Sequence, residues 1–492
     1  MEEKKDKNHR EINRKTVTTN ILWRFFERFG AYVVSFVISV ILARVLEPAT
    51  YGTVALMSVV VSFLDVFVTG GFASSLIQDK EATDADFDTL LIFNIAFSVF
   101  IYAILFICAP FIATYYENAS LTWLIRVSGF TLLISGIKNL QYAFVAKRLE
   151  FKKFFVATIG GTVASGIIGI ITALNGFGAW ALVIQSVANH LIDSLILWFV
   201  IQWRPKFRFS VALLKKHFSF GWKILAYKII YNISNSVRQL VIGKQYSEED
   251  LSFYNRGKTY PNMIGQNITS AVNSVMFPVL AKTQDDMGRF NELLEKSYKL
   301  NAFVMLPVCV GFFCVAESFI HLLIGAKWLP CVPYVEIFCV VVFLNSIEAI
   351  FSNGPMALGR STENMILGVA ECVFSIVALL VAMPFGVMAI GYSMIISSAV
   401  NCLIYIFYLR WLSKFNVLRC FKSTVDTFAA AIIMGVVVYL IGTLQLPYYV
   451  LLAIQILAGV AVYCLLSILF KNQSLPYCVS LIKELVRKKE QR

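Results

Sequence analysis

TNILWRFFERFGAYVVSFVISVILARVLEPATYGTVALMSVVVSFLDVFVTG occupies residues 19–70. It reads as two apolar helices joined at Glu47-Pro48-Ala49-Thr50, where proline ends one helix and can open the next. Each run matches or exceeds the ~20 residues a membrane-crossing helix needs. Arg24, Arg28, Ala31, Ser35 and Ser39 recur at helical spacing on the first run, and Ser58, Ser62, Asp65 and Thr69 on the second. A charge at mid-bilayer costs on the order of 2.5–3.5 kcal/mol on insertion scales, so such residues are the best clues to function. The hairpin predicts an α-helical membrane protein with polar stripes on its first two helices.

The rest of the chain repeats this pattern. Of its 492 residues, 58% are apolar and 15% charged, and the mean hydropathy is +0.72. Soluble domains average roughly half apolar and about a quarter charged, so a soluble enzyme is excluded at the outset. The apolar runs number fourteen: 18–45, 51–78, 87–115, 120–146, 153–175, 178–202, 217–243, 258–282, 296–325, 332–358, 362–384, 386–411, 424–444 and 448–470. Turns such as NGFG at 175–178, PFG at 384–386 and LQLP at 444–447 are too short for anything but tight antiparallel hairpins. The longest loop on the far side is expected near Lys244 to Lys258, with room for a short helix.

The net charge of +13 would suggest nucleic acid as a partner in a soluble protein. Here its placement points elsewhere. With fourteen spans, 31 of the 43 Lys and Arg fall on the side of the termini and 4 on the opposite side. That asymmetry predicts both termini in the cytoplasm, a multi-pass protein of the cytoplasmic membrane, and no nucleic-acid partner. The N-terminus MEEKKDKNHREINRK lacks the apolar core of a signal peptide. The ten cysteines form no CxxC and most lie inside apolar runs, and His9, His190, His217 and His321 are dispersed. Neither metal nor cofactor is expected.

The first and seventh runs open alike, with Trp23-Arg24 matched by Trp222-Lys223 at an offset of 199 residues. Six spans separate them, so both halves start on the same side. The expected organisation is an all-α integral membrane protein of about 14 transmembrane helices in two pseudo-symmetric six-helix lobes, plus two C-terminal helices. The boundaries are a tail at 1–17, an N-lobe at 18–202, a linker at 203–216 and a C-lobe at 217–411. Two further helices at 424–470 and a basic tail at 471–492 complete the chain. Parallel repeats of this kind place a site between lobes in many transporters.

Polar stripes recur on the seventh run (Lys228, Asn232, Asn235, Gln239, flanked by Arg238) and the eighth (Asn262, Gln266, Ser270, Asn273). Lys228 and Arg238 have no acid within a turn or two on their own helix. Arg24, by contrast, lies within two turns of the inner surface, where a long side chain can snorkel. Arg28 could pair with Asp65 or Glu27, Arg126 and Lys138 are expected to make structural pairings, and the eighth-run amides could join helices. The candidate cargo contacts are Arg24, Arg28, Lys228, Arg238, Asn232, Asn235, Gln266 and Asn273. Cations suit phosphate oxygens and amides suit sugar hydroxyls. A polyprenyl-pyrophosphate-linked glycan carries both groups.

At this point the chain resembles a known family, the Wzx-type flippases and the colanic or teichuronic acid exporter branch of the MOP superfamily. The matching residues are Ala43-Arg44-Val45-Leu46-Glu47-Pro48-Ala49-Thr50-Tyr51-Gly52, then Asp65 with Gly70-Gly71-Phe72, and Ala146 to Lys153. Gly176-Phe177-Gly178-Ala179-Trp180 and Tyr254-Asn255-Arg256-Gly257 complete the set. The resemblance implies export of a lipid-linked polysaccharide repeat unit, for lipopolysaccharide or exopolysaccharide synthesis, by alternating access through a cationic cavity. It implies membrane lipids and glycan polymerase or assembly machinery as partners. Asp65 is the candidate for a coupling proton or Na⁺. A MATE-like drug antiporter shares the architecture but would want acids facing an organic cation. A lipid II flippase fits equally well on charge. An integral membrane glycan enzyme would need placed bases or large outer loops, and the chain offers only His190 and His321, the latter four residues from Glu317.

Overall fold

Inside lipid, backbone polar groups must be satisfied within the protein, which leaves helices or a closed barrel. In the computed structural model, which describes residues 14–148, 150–206, 208–472 and 474–476, the chain takes the helical solution, with no strand among the described residues. Some side chains inside the helices, including those of Arg24, Arg28, Lys223 and Asn235, lie outside the described set, as do most of both tails.

The first six expected spans appear as α1 (Arg14–Val45), α2 (Pro48–Thr69) with α3 (Phe72–Gln78), α4 (Asp84–Tyr115), α5 (Leu121–Lys147), α6 (Phe151–Leu174) and α7 (Ala179–Val200). The next six are α8 (Val211–Gln245), α9 (Glu248–Ala281), α10 (Met287–Ile324), α11 (Val332–Ala357), α12 (Ser361–Ala382) and α13 (Val387–Ser413). A short α14 (Val417–Lys422) precedes α15 (Val425–Gly442) and α16 (Tyr448–Leu469). Among the described residues, eleven helical stretches are long and apolar enough to cross a membrane. The expected count of fourteen adds α1, α8 and α9.

Two local readings change. The second span is broken at Gly70-Gly71, because α8 approaches there. A β-carbon on Gly71 would collide with the Gly221 carbonyl, and one on Gly70 with Leu225. The long loop expected at Lys244 to Lys258 is almost all helix: only Tyr246 and Ser247 separate α8 from α9. Ser247 and Asp250 build the N-terminal cap there, with the Ser247 hydroxyl 2.7 Å from Asp250 Oδ2 and the Asp250 N–H 3.0 Å from Ser247 Oγ. Glu248, Glu249 and Asp250 in the first turn suit the helix dipole. In the NGFG turn, Gly176 and Gly178 take φ of +79° and +54°, which side-chain-bearing residues rarely adopt.

Contacts divide the chain into one unit over Met1–Leu251 and another over Ser252–Arg492. In the first, α4 packs on α5, α5 on α7, α6 on α7, α1 on α6 and α2 on both α5 and α8. Its core around the α3–α4 turn includes Leu76, Phe87, Leu90, Phe144 and Trp203. In the second, α10 packs on α11, α11 on α13 and α12 on α13, while α15 and α16 pack on α10 and each other. Three pairings of the first unit are thus repeated: α4–α5, α5–α7 and α6–α7 by α10–α11, α11–α13 and α12–α13. By sequence α8 opens the second repeat, yet by packing it belongs with α2, α3 and α4.

α8 also runs the full length of the first unit. Near its start, His217 Nε2 lies 3.0 Å from Asp86 Oδ1 at the α3–α4 turn. At its end, Lys244 Nζ lies 2.9 Å from Glu117 Oε1 at the α4–α5 turn.

A candidate functional site of charges inside the helices

The proposed cargo residues are distributed over α1, α8 and α9. The side chains of Arg24, Arg28 and Asn235 lie outside the described residues. Lys228 is half-buried on α8 and contributes its field to Asp65 of α2. Asn232, one turn further on, is half-buried and accepts from the Ser236 hydroxyl at 3.3 Å. Arg238 is 6% exposed, deeper than its neighbours in the stripe. In the second unit Gln266 is exposed on α9, whereas Asn273 accepts from Asn353 Nδ2 of α11 at 2.9 Å. The Asn273 amide therefore joins two helices, whereas Gln266 and Ser270 of the same stripe are exposed.

The first unit also gathers a polar network between α2, α5, α6 and α7. Lys138 Nζ of α5 lies 2.6 Å from Asp193 Oδ2 of α7, and the Tyr142 hydroxyl donates to the same oxygen at 3.0 Å. Tyr142 also lies 3.3 Å from the Thr158 hydroxyl of α6. One residue along, the Ser194 hydroxyl donates to Gln141 Oε1 at 3.0 Å and the Gln141 amide returns a bond to the Ser194 carbonyl at 3.3 Å. Asp65 joins from α2: the Thr69 hydroxyl is 3.5 Å from Asp65 Oδ2, Ser135 of α5 is within hydrogen-bonding reach, and Lys138 and Lys228 supply positive charge. Asp193 is 3% exposed, so its pairing is obligatory.

Sequence reading expected Lys138 to be structural, without naming its partner. The partner's signal was present as matched spacing. Lys138, Gln141 and Tyr142 stand at i, i+3, i+4 on α5, and His190, Asp193 and Ser194 at the same spacing on α7. Two polar triplets of equal period can face each other, but only the packing shows that they do.

Dispersed histidines gave no sign of a metal centre, yet the fold brings Asp79, Asp86 and His217 together with ligand atoms within 4.8 Å of one another. Such residues could hold a divalent cation. One tethered cation already pairs with an Asp79 carboxylate oxygen, and a second bonds the backbone beside it. Lys216 Nζ lies 2.6 Å from Asp79 Oδ2, and Lys147 Nζ donates to the Asp79 and Ala82 carbonyls at 2.7 and 3.2 Å. The hydrogen bond from Lys216 holds the Asp79 carboxyl below the usual carboxylate range. The Ser75 hydroxyl, 2.7 Å from His217 Nδ1, completes a clamp that fixes the start of α8. The second unit has an apolar cavity of about 450 Å³ among α10, α11 and α15, walled by residues such as Leu306, Phe313 and Val436, which offers hydrocarbon contact alone.

A sequence family described as "Polysaccharide biosynthesis protein" matches residues 41–333, more than half of the chain. The chain belongs to this family. Among its relatives, the succinoglycan biosynthesis transport protein ExoT of Rhizobium meliloti (strain 1021) is 27% identical over 319 residues, 64% of each chain. The chain thus spans just under two thirds of that protein's length. The teichuronic acid biosynthesis protein TuaB of Bacillus subtilis (strain 168) is 25% identical over 414 residues, covering 82% of this chain and 86% of that one. Among solved structures, the lipid II flippase MurJ in an inward closed conformation superposes with a TM-score of 0.74. That match has 15% identity over 92% of this chain and 98% of MurJ, and it shows the fold. This member of the polysaccharide biosynthesis family is therefore an all-helical, multi-pass membrane protein. Its relatives are named for transport and biosynthesis and its structural neighbour for lipid flipping, none of them for catalysis. Gly52, just after the first turn, has a physical basis: a β-carbon there would collide with the Glu248 carbonyl.

Proposed function

We propose that this protein is a flippase that moves a polyprenyl-pyrophosphate-linked polysaccharide repeat unit across the bacterial cytoplasmic membrane by alternating access. Lys228 carries the reading. It is a half-buried cation on a helix that runs the length of the first unit, with Asn232 one turn away and no ion-pair partner within 4 Å among the described residues. An ammonium and an amide at that spacing suit a phosphate and a sugar hydroxyl. Arg24, Arg28, Asn235 and Arg238 are assigned to the same task in the first unit, and Gln266 and Asn273 in the second, with Asn273 shared between cargo and Asn353. Asp65 is the proposed site of a coupling proton or Na⁺, because it is a carboxylate inside the helices that feels the charge of both Lys138 and Lys228. Both termini face the cytoplasm, and the glycan polymerase or assembly machinery is the partner that receives the cargo.

A drug antiporter would present carboxylates to an organic cation, and the α8 stripe presents the opposite charge. The test is transport of a polyprenyl-pyrophosphate glycan in reconstituted vesicles by the intact protein, Arg28→Ala and Lys228→Ala. Outward movement is expected for the intact protein and is expected to fall at least tenfold in each variant, with folding intact. Unimpaired movement in both variants would make these charges structural. Efflux of an organic cation without glycan movement would replace the flippase reading by an antiporter.

A further inference from the structure

Arg126 stands apart from the other intramembrane cations. It lies five residues into α5, about 7 Å along the helix from the α4–α5 turn. Its Nε donates to the Phe106 carbonyl of α4 at 3.2 Å, and its guanidinium lies 4.1 Å from the Phe106 ring centre and 5.1 Å from that of Trp123. The Tyr102 hydroxyl donates to the Arg126 carbonyl at 3.2 Å, which fixes the backbone beneath it. Among the described residues no carboxylate forms an ion pair with Arg126.

This geometry commits one of five guanidinium donors, sets two rings against the guanidinium, and leaves the other four donors for an anion. The direction of those donors follows from burial. Trp123 is 59% exposed and Ile107 on α4 is 66% exposed, so this surface of a membrane-spanning bundle meets lipid. Trp at one helical turn from a span's end marks headgroup depth. A guanidinium there, stacked and pinned, has the shape for bidentate bonding to phosphate.

We propose that Arg126, held between Phe106 and Trp123, binds the phosphate of a glycerophospholipid in the leaflet at the α4–α5 end of the first unit. These donors open to bulk lipid, where glycerophospholipids are the most abundant phosphate carriers. The site is separate from the cargo stripe on α8 and does not depend on the flippase reading.

Native mass spectrometry of the full-length protein, titrated with dioleoylphosphatidylglycerol, tests it. Arg126→Gln keeps a donor for the Phe106 carbonyl and removes the charge. It is expected to weaken the most tightly retained phosphatidylglycerol about tenfold, the scale of one charge-assisted pair. Arg126→Lys is expected to lie between the two. If Arg126→Gln does not fold, Trp123→Leu leaves the charge in place and is expected to weaken retention a few-fold. Equal retention by the intact protein and Arg126→Gln would overturn the proposal, as would equal binding of phosphate-free dioleoylglycerol. Retention of polyprenyl phosphate with no phosphatidylglycerol would overturn the choice of lipid.

Discussion

Lys138 sits 2.6 Å from Asp193, and neither charge could stand alone where they meet. Their side chains are 17% and 4% exposed, so solvent screens the pair weakly. Truncating one partner leaves the other as an uncompensated buried charge, whereas replacing both can be close to neutral. Lys138→Met is therefore expected to destabilise the protein by about 3–5 kcal/mol, read as loss of folded protein on heating in detergent. Lys138→Met combined with Asp193→Leu is expected to recover most of that loss. A double variant as unstable as the single one would mean that the charges hold something other than each other. At this scale the sequence displayed every residue of the network. The pairing was hidden because Lys138 and Asp193 are 55 positions apart on helices that are not consecutive. Arg126 shows the same limit: its ring contacts join α5 to α4 across twenty residues.

Among the elements, α8 is held at both ends. His217, Lys216 and the close approach at Gly71 fix its start to α3 and the α3–α4 turn. Lys244, Glu248, Asn118 and Thr53 fix its end region, with Asn118 Nδ2 2.6 Å from Glu248 Oε1 and the Thr53 hydroxyl donating to Glu248 Oε2. One of these fasteners has a defined acid response. Asp79 is lowered in the folded state, chiefly by Lys216, so its stabilising contribution is full above its ordinary value of about 4. It is lost as the pH falls through the lowered value. Lys216 titrates far above this window and stays charged, its own value raised by the same bond. The stability difference between the intact protein and Lys216→Met is expected to be constant from about pH 6 to 5 and to shrink below about pH 4. A difference that holds steady down to pH 3 would show that Asp79 is not the responsive group. The sequence told that α8 is a polar-striped helix, because spacing is local. It did not tell which neighbours the stripe meets.

For the molecule as a whole, the paired contacts set a topology that can be tested. The α4–α5 and α8–α9 turns share one end of the first unit, joined by Lys244 and Glu117. The start of α8 and the α3–α4 turn share the other. With the Lys and Arg bias, the first end is expected outside and the second in the cytoplasm. Alkaline phosphatase fused after Glu117 or Tyr246 is expected to be active in cells, and fused after Arg492 inactive. Activity at the C-terminus would reverse the orientation or change the number of crossings.

Several properties were decided by the sequence alone. Membrane residence, the helical class, the places of the eleven apolar spans and the family all follow from composition, hydropathy and short turn motifs. These depend on neighbours along the chain or on transfer into lipid, both of which are properties of a segment. The tertiary structure decided the rest. It broke the second span at Gly70-Gly71, turned the expected loop near Tyr254 into helix, and drew α8 into the first unit. It also paired Lys138 with Asp193 and gave Asn273 a partner on α11. Each of these depends on which helix surfaces meet. Periodicity fixes the stripe a helix offers, but contact between two stripes is settled by side-chain shape, by glycines that allow close approach, and by charges that must find a partner once water is gone.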